Sequence, residues 1–171
     1  MTTILKPGIE RIMRVFYNDR WKSVHLRELS RKTKLHGQSI TRYLHLLEKS
    51  KFLSSRWEGN QRRYSVSRNK SVYALCTLLD IEKFEKLPNI RKQAIATYLN
   101  NLPKQPVYVI LFGSTAKENY TEHSDIDILL VTNEKIDVKH AEKEADMLHA
   151  VSISTFQMSY KEFTKEIKLK E

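Results

Sequence analysis

Apolar residues recur along this chain in two rhythms, and the change between them divides it. Through the first half they come three and four residues apart, the spacing of a helix face. Pro7 suits a first helical turn, and Ile9, Ile12, Met13 and Phe16 follow at that spacing. Ser23 is placed to cap a second helix in which Leu26 and Leu29 face inward. Leu35-His36-Gly37 then breaks the pattern, glycine being free to take a positive φ. A third helix is predicted from about Gln38 to Ser50, with Ile40, Tyr43, Leu44 and Leu47 as its buried stripe. Residues 52–57 and 61–67 read as two short strands around a Glu58-Gly59-Asn60 turn.

Two more helices connect the halves. Val72, Leu75, Leu78, Leu79 and Ile81 continue a helical pattern to about Leu87. Pro88 restarts it, and Ile90, Ala94, Ile95, Tyr98 and Leu99 make a second amphipathic stretch ending near Asn101. From Pro106 the apolar residues gather into short runs instead, Val107 to Phe112 and Ile128 to Val131, and strands are predicted over 107–112 and 126–131. A helix begins between them at Ser114. A charged helix over about 138–149, a strand over 151–158 and a last helix over about 160–168 complete the prediction. No repeat and no Gly/Ser-rich tether interrupts the chain.

Charge follows the same division. Of 171 residues, the first 70 hold 17 Lys+Arg against 5 Asp+Glu, a net of +12, whereas the remainder nets −2. The first part therefore seeks polyanions and the second does not, which argues for two domains with different jobs. The single cysteine, Cys76, can form no internal disulfide; in its apolar setting it reads as a small buried hydrophobe and suits a reducing cytoplasm. No apolar run approaches the roughly 18 residues of a membrane span, and the N-terminus lacks a signal-peptide core, so a soluble cytoplasmic protein without a membrane partner is expected. Neither the six histidines nor the cysteine are spaced as zinc ligands.

In the basic half, two helices joined by a short glycine-containing turn make a helix-turn-helix arrangement. HLRELSRKTKLHGQSITRYLHLLEKSKFL followed by WEGNQRRYSV resembles the winged-helix domains of prokaryotic transcription regulators over residues 5–68. In that family the third helix enters the major groove and the hairpin touches the backbone or minor groove. The resemblance makes Gln38, Thr41, Arg42 and His45 candidate base or phosphate contacts on double-stranded DNA, and Arg62 and Arg63 candidate phosphate contacts. Winged-helix proteins commonly bind as dimers, so a homodimer is expected by class.

In the second half, LFGSTAKENYTEHSDIDILLV concentrates the chemistry. Asp125 and Asp127 lie one residue apart at the start of a strand, where residues i and i+2 share a face. Carboxylates held side by side repel, and a divalent cation is the usual remedy. Gly113-Ser114, where a strand gives way to a helix, offers backbone N–H groups and a hydroxyl suited to phosphate. Gly113-Ser114, ten residues, then Asp125-Ile126-Asp127 resembles the signature of the minimal nucleotidyltransferases of the polymerase-β-like superfamily, over roughly residues 104–160. The resemblance implies Asp125 and Asp127 as catalytic Mg²⁺ ligands, and Gly113, Ser114 and Lys117 around the phosphates of a nucleoside triphosphate, ATP foremost. It also implies transfer of a nucleoside monophosphate with release of pyrophosphate. Active relatives usually carry a third carboxylate on a later strand; the matching segment here, 151–158, has no Asp or Glu, and Asp146 and Glu162 lie away from it in sequence.

The expectation is therefore an α+β protein: an N-terminal winged helix-turn-helix over 1–70, connecting helices over 71–103 and a small mixed-sheet nucleotidyltransferase core over 104–171. Three functions follow from it. The first is a DNA-binding regulator whose second domain binds, and in an active form transfers, a nucleotide. The second is an antitoxin neutralising a HEPN-type toxin, as minimal nucleotidyltransferases often do. The third is an enzyme acting on a nucleic-acid end or a small molecule. The first is preferred, because the charge split favours DNA and the missing carboxylate weakens a purely enzymatic account.

Overall fold

The computed structural model describes residues 5–20 and 22–168. The chain divides into two compact units, Met1–Glu82 and Lys83–Glu171. In the first, α1 (Pro7–Tyr17), β1 (Val24–His25), α2 (Leu26–Thr33) and α3 (Gly37–Lys49) precede a hairpin of β2 (Leu53–Glu58) and β3 (Gln61–Val66). The strands form an antiparallel sheet in the order β1-β3-β2. Gly59, at φ +57°, takes the tight turn between Glu58 and Gln61. Ile12, Phe16, Val24, Leu29 and Leu44 are almost wholly buried and close the core.

Local pattern misjudged three details here. Val24 and His25 form a strand, too short to show an alternation, by pairing with Tyr64 and Arg63. The cap of α2 is consequently His25, whose Nδ1 accepts from the Glu28 N–H at 3.2 Å, rather than Ser23. In α4 (Lys70–Glu85), Val72, Leu75, Cys76 and Leu79 are buried, whereas Leu78 and Ile81 are exposed. Cys76 is buried, as its apolar setting suggests, and burial pushes its thiol pKa up.

The second unit holds α5 (Asn89–Asn100), β4 (Tyr108–Phe112), α6 (Gly113–Lys117), β5 (Ile126–Thr132), α7 (Lys139–His149), β6 (Ile153–Ser159) and α8 (Tyr160–Lys168). Its sheet runs β4-β5-β6, antiparallel between β4 and β5 and parallel between β5 and β6, so it is a small mixed sheet. The parallel pair requires a crossover, and α7 supplies it. Ala94, Ile95 and Tyr98 of α5 and Ala141 and Ala145 of α7 pack with Ile126, Ile128, Leu130 and Ile153 on one sheet face. The Tyr98 hydroxyl, in hydrogen bond with Thr155 at 2.8 Å, has its pKa pushed up to about 12, chiefly by burial. On the other face, among the described residues of this unit, Tyr108 meets the rings of Tyr160 and Phe163 of α8, at 6.4 and 5.7 Å between centroids.

The buried stripe of α5 also differs from expectation. It runs Arg91, Ala94, Ile95 and Tyr98, and Ile90 is half exposed. A guanidinium replaces an aliphatic side chain there because the neighbouring loop supplies its acceptors. β6 begins at Ile153 rather than Val151.

Candidate functional site

Strand register decides where the two aspartates stand. Asp127 lies opposite Phe112 on β4 and Ser154 on β6. Ile126 and Ile128 are fully buried against the helices, so Asp127 projects to the opposite face of the sheet, whereas Asp125 lies just before the strand, in the loop that leads into it. Asp125 is exposed and Asp127 half-buried. Along the same face burial deepens away from them, until Val131 is fully buried beside Tyr108 and the α8 rings. The carboxylate end is the end that α8 leaves open.

Gly113 follows the last residue of β4 and opens α6 with φ +66°. A Cβ built on it would stand 1.9 Å from Asp127 Oδ2 and 2.8 Å from Asp127 Cγ. The bend and the carboxylate are thus in van der Waals contact, possible only because the residue has no side chain. Ser114 follows directly, half-buried at the first turn of α6, while Lys117 ends that helix and is exposed. The structure therefore brings Gly113 and Asp127 into contact, with Ser114 next along the chain and Lys117 one turn on, while Asp125 precedes β5 in the adjoining loop. Among the described residues, no hydrogen bond or ion pair engages either carboxylate side chain. Asp125 and Asp127 are the carboxylates here that could hold a hard divalent cation.

Arg91 holds this arrangement, and sequence periodicity placed an isoleucine there instead. It is 3% exposed, yet its guanidinium donates to Thr115 Oγ1 at 2.9 Å and to the carbonyls of Thr121 and Ser124 at 3.0 and 2.6 Å. It also lies over the Tyr120 ring, 4.3 Å from the centroid. One planar fork thereby joins α6, which follows the glycine bend, to the residue that precedes Asp125. Ser124 shapes the same loop, its hydroxyl accepting from the Thr121 N–H at 2.9 Å. The spacing 91-94-95-98 was the available signal, obscured by the polarity of arginine.

Among the described residues, no third carboxylate is grouped with the pair. Ser154 occupies the position beside Asp127 on β6. Asp146 accepts from the Ser152 hydroxyl at 3.2 Å, Glu142 from the Thr155 N–H at 3.2 Å, and Glu162 from the Ser159 N–H at 3.0 Å. Among the described residues, no three His, Cys, Asp or Glu side chains are grouped to hold a metal.

In the first unit, Gln38, Thr41, Arg42 and His45 line one open hollow of about 850 Å³, together with Arg27 of α2. A second hollow, of about 380 Å³, shares Arg27 and extends to Trp57 and Arg62 on the hairpin. The hairpin arginines are engaged within the unit. Arg62 donates to both Glu48 oxygens, at 2.9 and 3.0 Å, and to Ser55 Oγ at 2.9 Å. Arg63 pairs with Glu58 and donates to the Ser23 carbonyl at 3.2 Å. Their charge is partly neutralised where they stand, whereas Arg42 lies over Tyr43 with its centre 5.3 Å from the ring. At the start of α2, hydrogen bonds from Lys22 and Lys32 hold the Glu28 carboxyl well below its usual range, at about 2.

Comparison with known proteins finds a family-model match within the second unit. Residues 93–170 match the family model described as polymerase beta, nucleotidyltransferase. That part of the chain is nucleotidyltransferase-like. No curated protein matches the chain. Among solved structures, TrmBL2, an archaeal chromatin protein whose structure shows a novel mode of DNA binding, is similar at 17% identity and a TM-score of 0.34. The similarity covers 96% of this chain and 69% of that one, and a TM-score this low carries no argument about function. Among the described residues, no helix is long and apolar enough to cross a membrane.

Proposed function

We propose that this chain is a DNA-binding, transcription-regulatory protein whose second unit binds a nucleoside triphosphate with Mg²⁺. The observation that supports the nucleotide reading is the contact of Asp127 with the side-chain-free Gly113, with Asp125 two residues earlier at the entry to the same strand. Asp125 and Asp127 would hold the cation, which when bound supplies Lewis-acid stabilisation of charge on a phosphoryl group. Gly113 lets backbone approach the phosphates, and the Ser114 hydroxyl donates to one of their oxygens. Ser154, beside Asp127, is neutral and cannot take a proton from an attacking hydroxyl as a carboxylate would. Binding therefore ranks ahead of turnover in this reading, with nucleoside monophosphate transfer as its active extension.

For DNA, the element order of the first unit and the strand order β1-β3-β2 support a winged helix-turn-helix in which α3 reads the major groove. Gln38, Thr41, Arg42 and His45 would face the bases and phosphates, with Arg62 and Arg63 at the flanking backbone. A net charge of +12 over residues 1–70 supplies the attraction for the duplex.

Calorimetric titration of Mg-ATP into the full chain, and into Asp125→Ala/Asp127→Ala, tests the nucleotide reading. Binding to the natural chain and its loss in the variant are expected. Equal binding by both, or by neither, ends it.

A further inference from the structure

The open face next to the aspartates is apolar and aromatic, and the phosphate reading leaves it unused. Phe112 neighbours Asp127 on β4, and Phe156, one pleat along, neighbours Leu129 on β6. Thr155 reaches the Tyr98 hydroxyl on the helix-covered face, so Phe156 projects to the open one. The two rings meet edge-on at 5.4 Å between centroids, 67° apart, spanning β5 just beyond the carboxylates. Phe156 is 53% exposed, an unusual state for a phenylalanine in the middle of a strand.

Resting on the nucleotide reading above, we propose that Phe112 and Phe156 form the floor that receives the nucleobase of the bound triphosphate. Order across the sheet carries the assignment. The glycine bend closes β4, Asp127 stands at the start of β5 with Asp125 just before it, and the exposed ring stands on β6. A triphosphate with its outer phosphates at Gly113-Ser114 and its α-phosphate at the aspartates points its nucleoside away from the bend, towards β6. Phe156 lies one strand and one pleat from Asp127, roughly 5 Å across and 7 Å along, which leaves a sugar's width between phosphate and ring. Every nucleobase has a π-face, and a neutral ring binds it by stacking without adding charge beside two carboxylates.

The test separates ring from phosphates. Mg-ATP and Mg-tripolyphosphate are titrated into the full chain, Phe156→Ala, Phe156→Leu and Asp125→Ala/Asp127→Ala. Phe156→Ala is expected to weaken ATP about tenfold, as loss of one stacking partner does, and to leave tripolyphosphate unchanged. Phe156→Leu keeps apolar bulk without a π-face and should lose most of the same affinity. ATP affinity unchanged in Phe156→Ala, or ATP and tripolyphosphate weakened in parallel, overturns the assignment while leaving the carboxylate site intact. Mg-ATP that ignores the aspartate substitutions, or fails to bind the natural chain, overturns the nucleotide reading and this inference with it. Both Phe156 variants alter a half-exposed side chain, and far-UV circular dichroism checks that the fold persists.

Discussion

Gly113 and Asp127 are in contact, although thirteen residues separate them in the chain: a methyl group on the Gly113 α-carbon would lie 1.9 Å from Asp127 Oδ2. Gly113→Ala meets this collision and a φ of +66° at once. The strained backbone costs about 1 kcal/mol or more, and the carboxylate must move aside. Mg-ATP affinity should fall at least about tenfold by calorimetry while circular dichroism stays that of the natural chain. Unchanged affinity would separate the bend from the site.

Arg91 serves three acceptors from one buried guanidinium. Lysine has the charge without the fork, so Arg91→Lys should destabilise the fold by about 2–4 kcal/mol in urea, leaving carbonyls without donors. Amide exchange at residues 121–125 should quicken more than at β5. Natural-chain protection in that loop would count against a positioning role.

Ser154→Asp would place a third carboxylate beside Asp127. Three like charges on one face repel, so the variant should melt lower than the natural chain in chelator. Added Mg²⁺ or Mn²⁺ should raise its melting temperature by more than it raises that of the natural chain, through linkage to binding. Equal shifts in the two proteins would place Ser154 outside the cation site.

Arg62 is held by Glu48 at the end of α3. Glu48→Ala should release that charge, strengthening duplex binding at low salt and steepening its dependence on log[salt] by about one unit. Arg42→Ala should do the reverse. Anisotropy titrations across salt concentrations check both.

Glu28 contributes to stability through Lys22 and Lys32, its folded pKa of about 2 lying below the usual 4.5. A depressed carboxyl stabilises the fold above its unfolded pKa and loses that contribution as pH falls towards the folded value. Glu28→Gln should therefore be less stable than the natural chain at pH 7, with the gap closing between pH 4.5 and 2. Urea midpoints across that range measure it, and a gap that stays constant would refute the linkage.

Much of the site was readable before any fold. Gly113 already marks a bend, a consequence of covalent geometry over a few residues, whereas the spacing of Asp125 and Asp127 pointed to one shared strand face and the strand begins only at Ile126, leaving Asp125 in the loop before it. The long helices were readable for the same reason. Val24-His25 was not, since two residues carry no period and become a strand only by finding Tyr64 and Arg63. Nor was Leu78, whose exposure depends on which face of α4 the rest of its unit covers.

What sequence alone determined about this protein is local: two contrasting charge regimes, the helix and strand rhythms, and an aspartate pair ten residues beyond a glycine-serine bend. Tertiary structure decided the partnerships. It set Gly113 under Asp127, Ser154 where a third acid would stand, Phe156 on the uncovered face, Arg91 beneath the loop and Arg62 against Glu48. Each of these depends on strand register or on packing between distant segments, and such relations follow from the balance of the whole core rather than from any neighbouring residues.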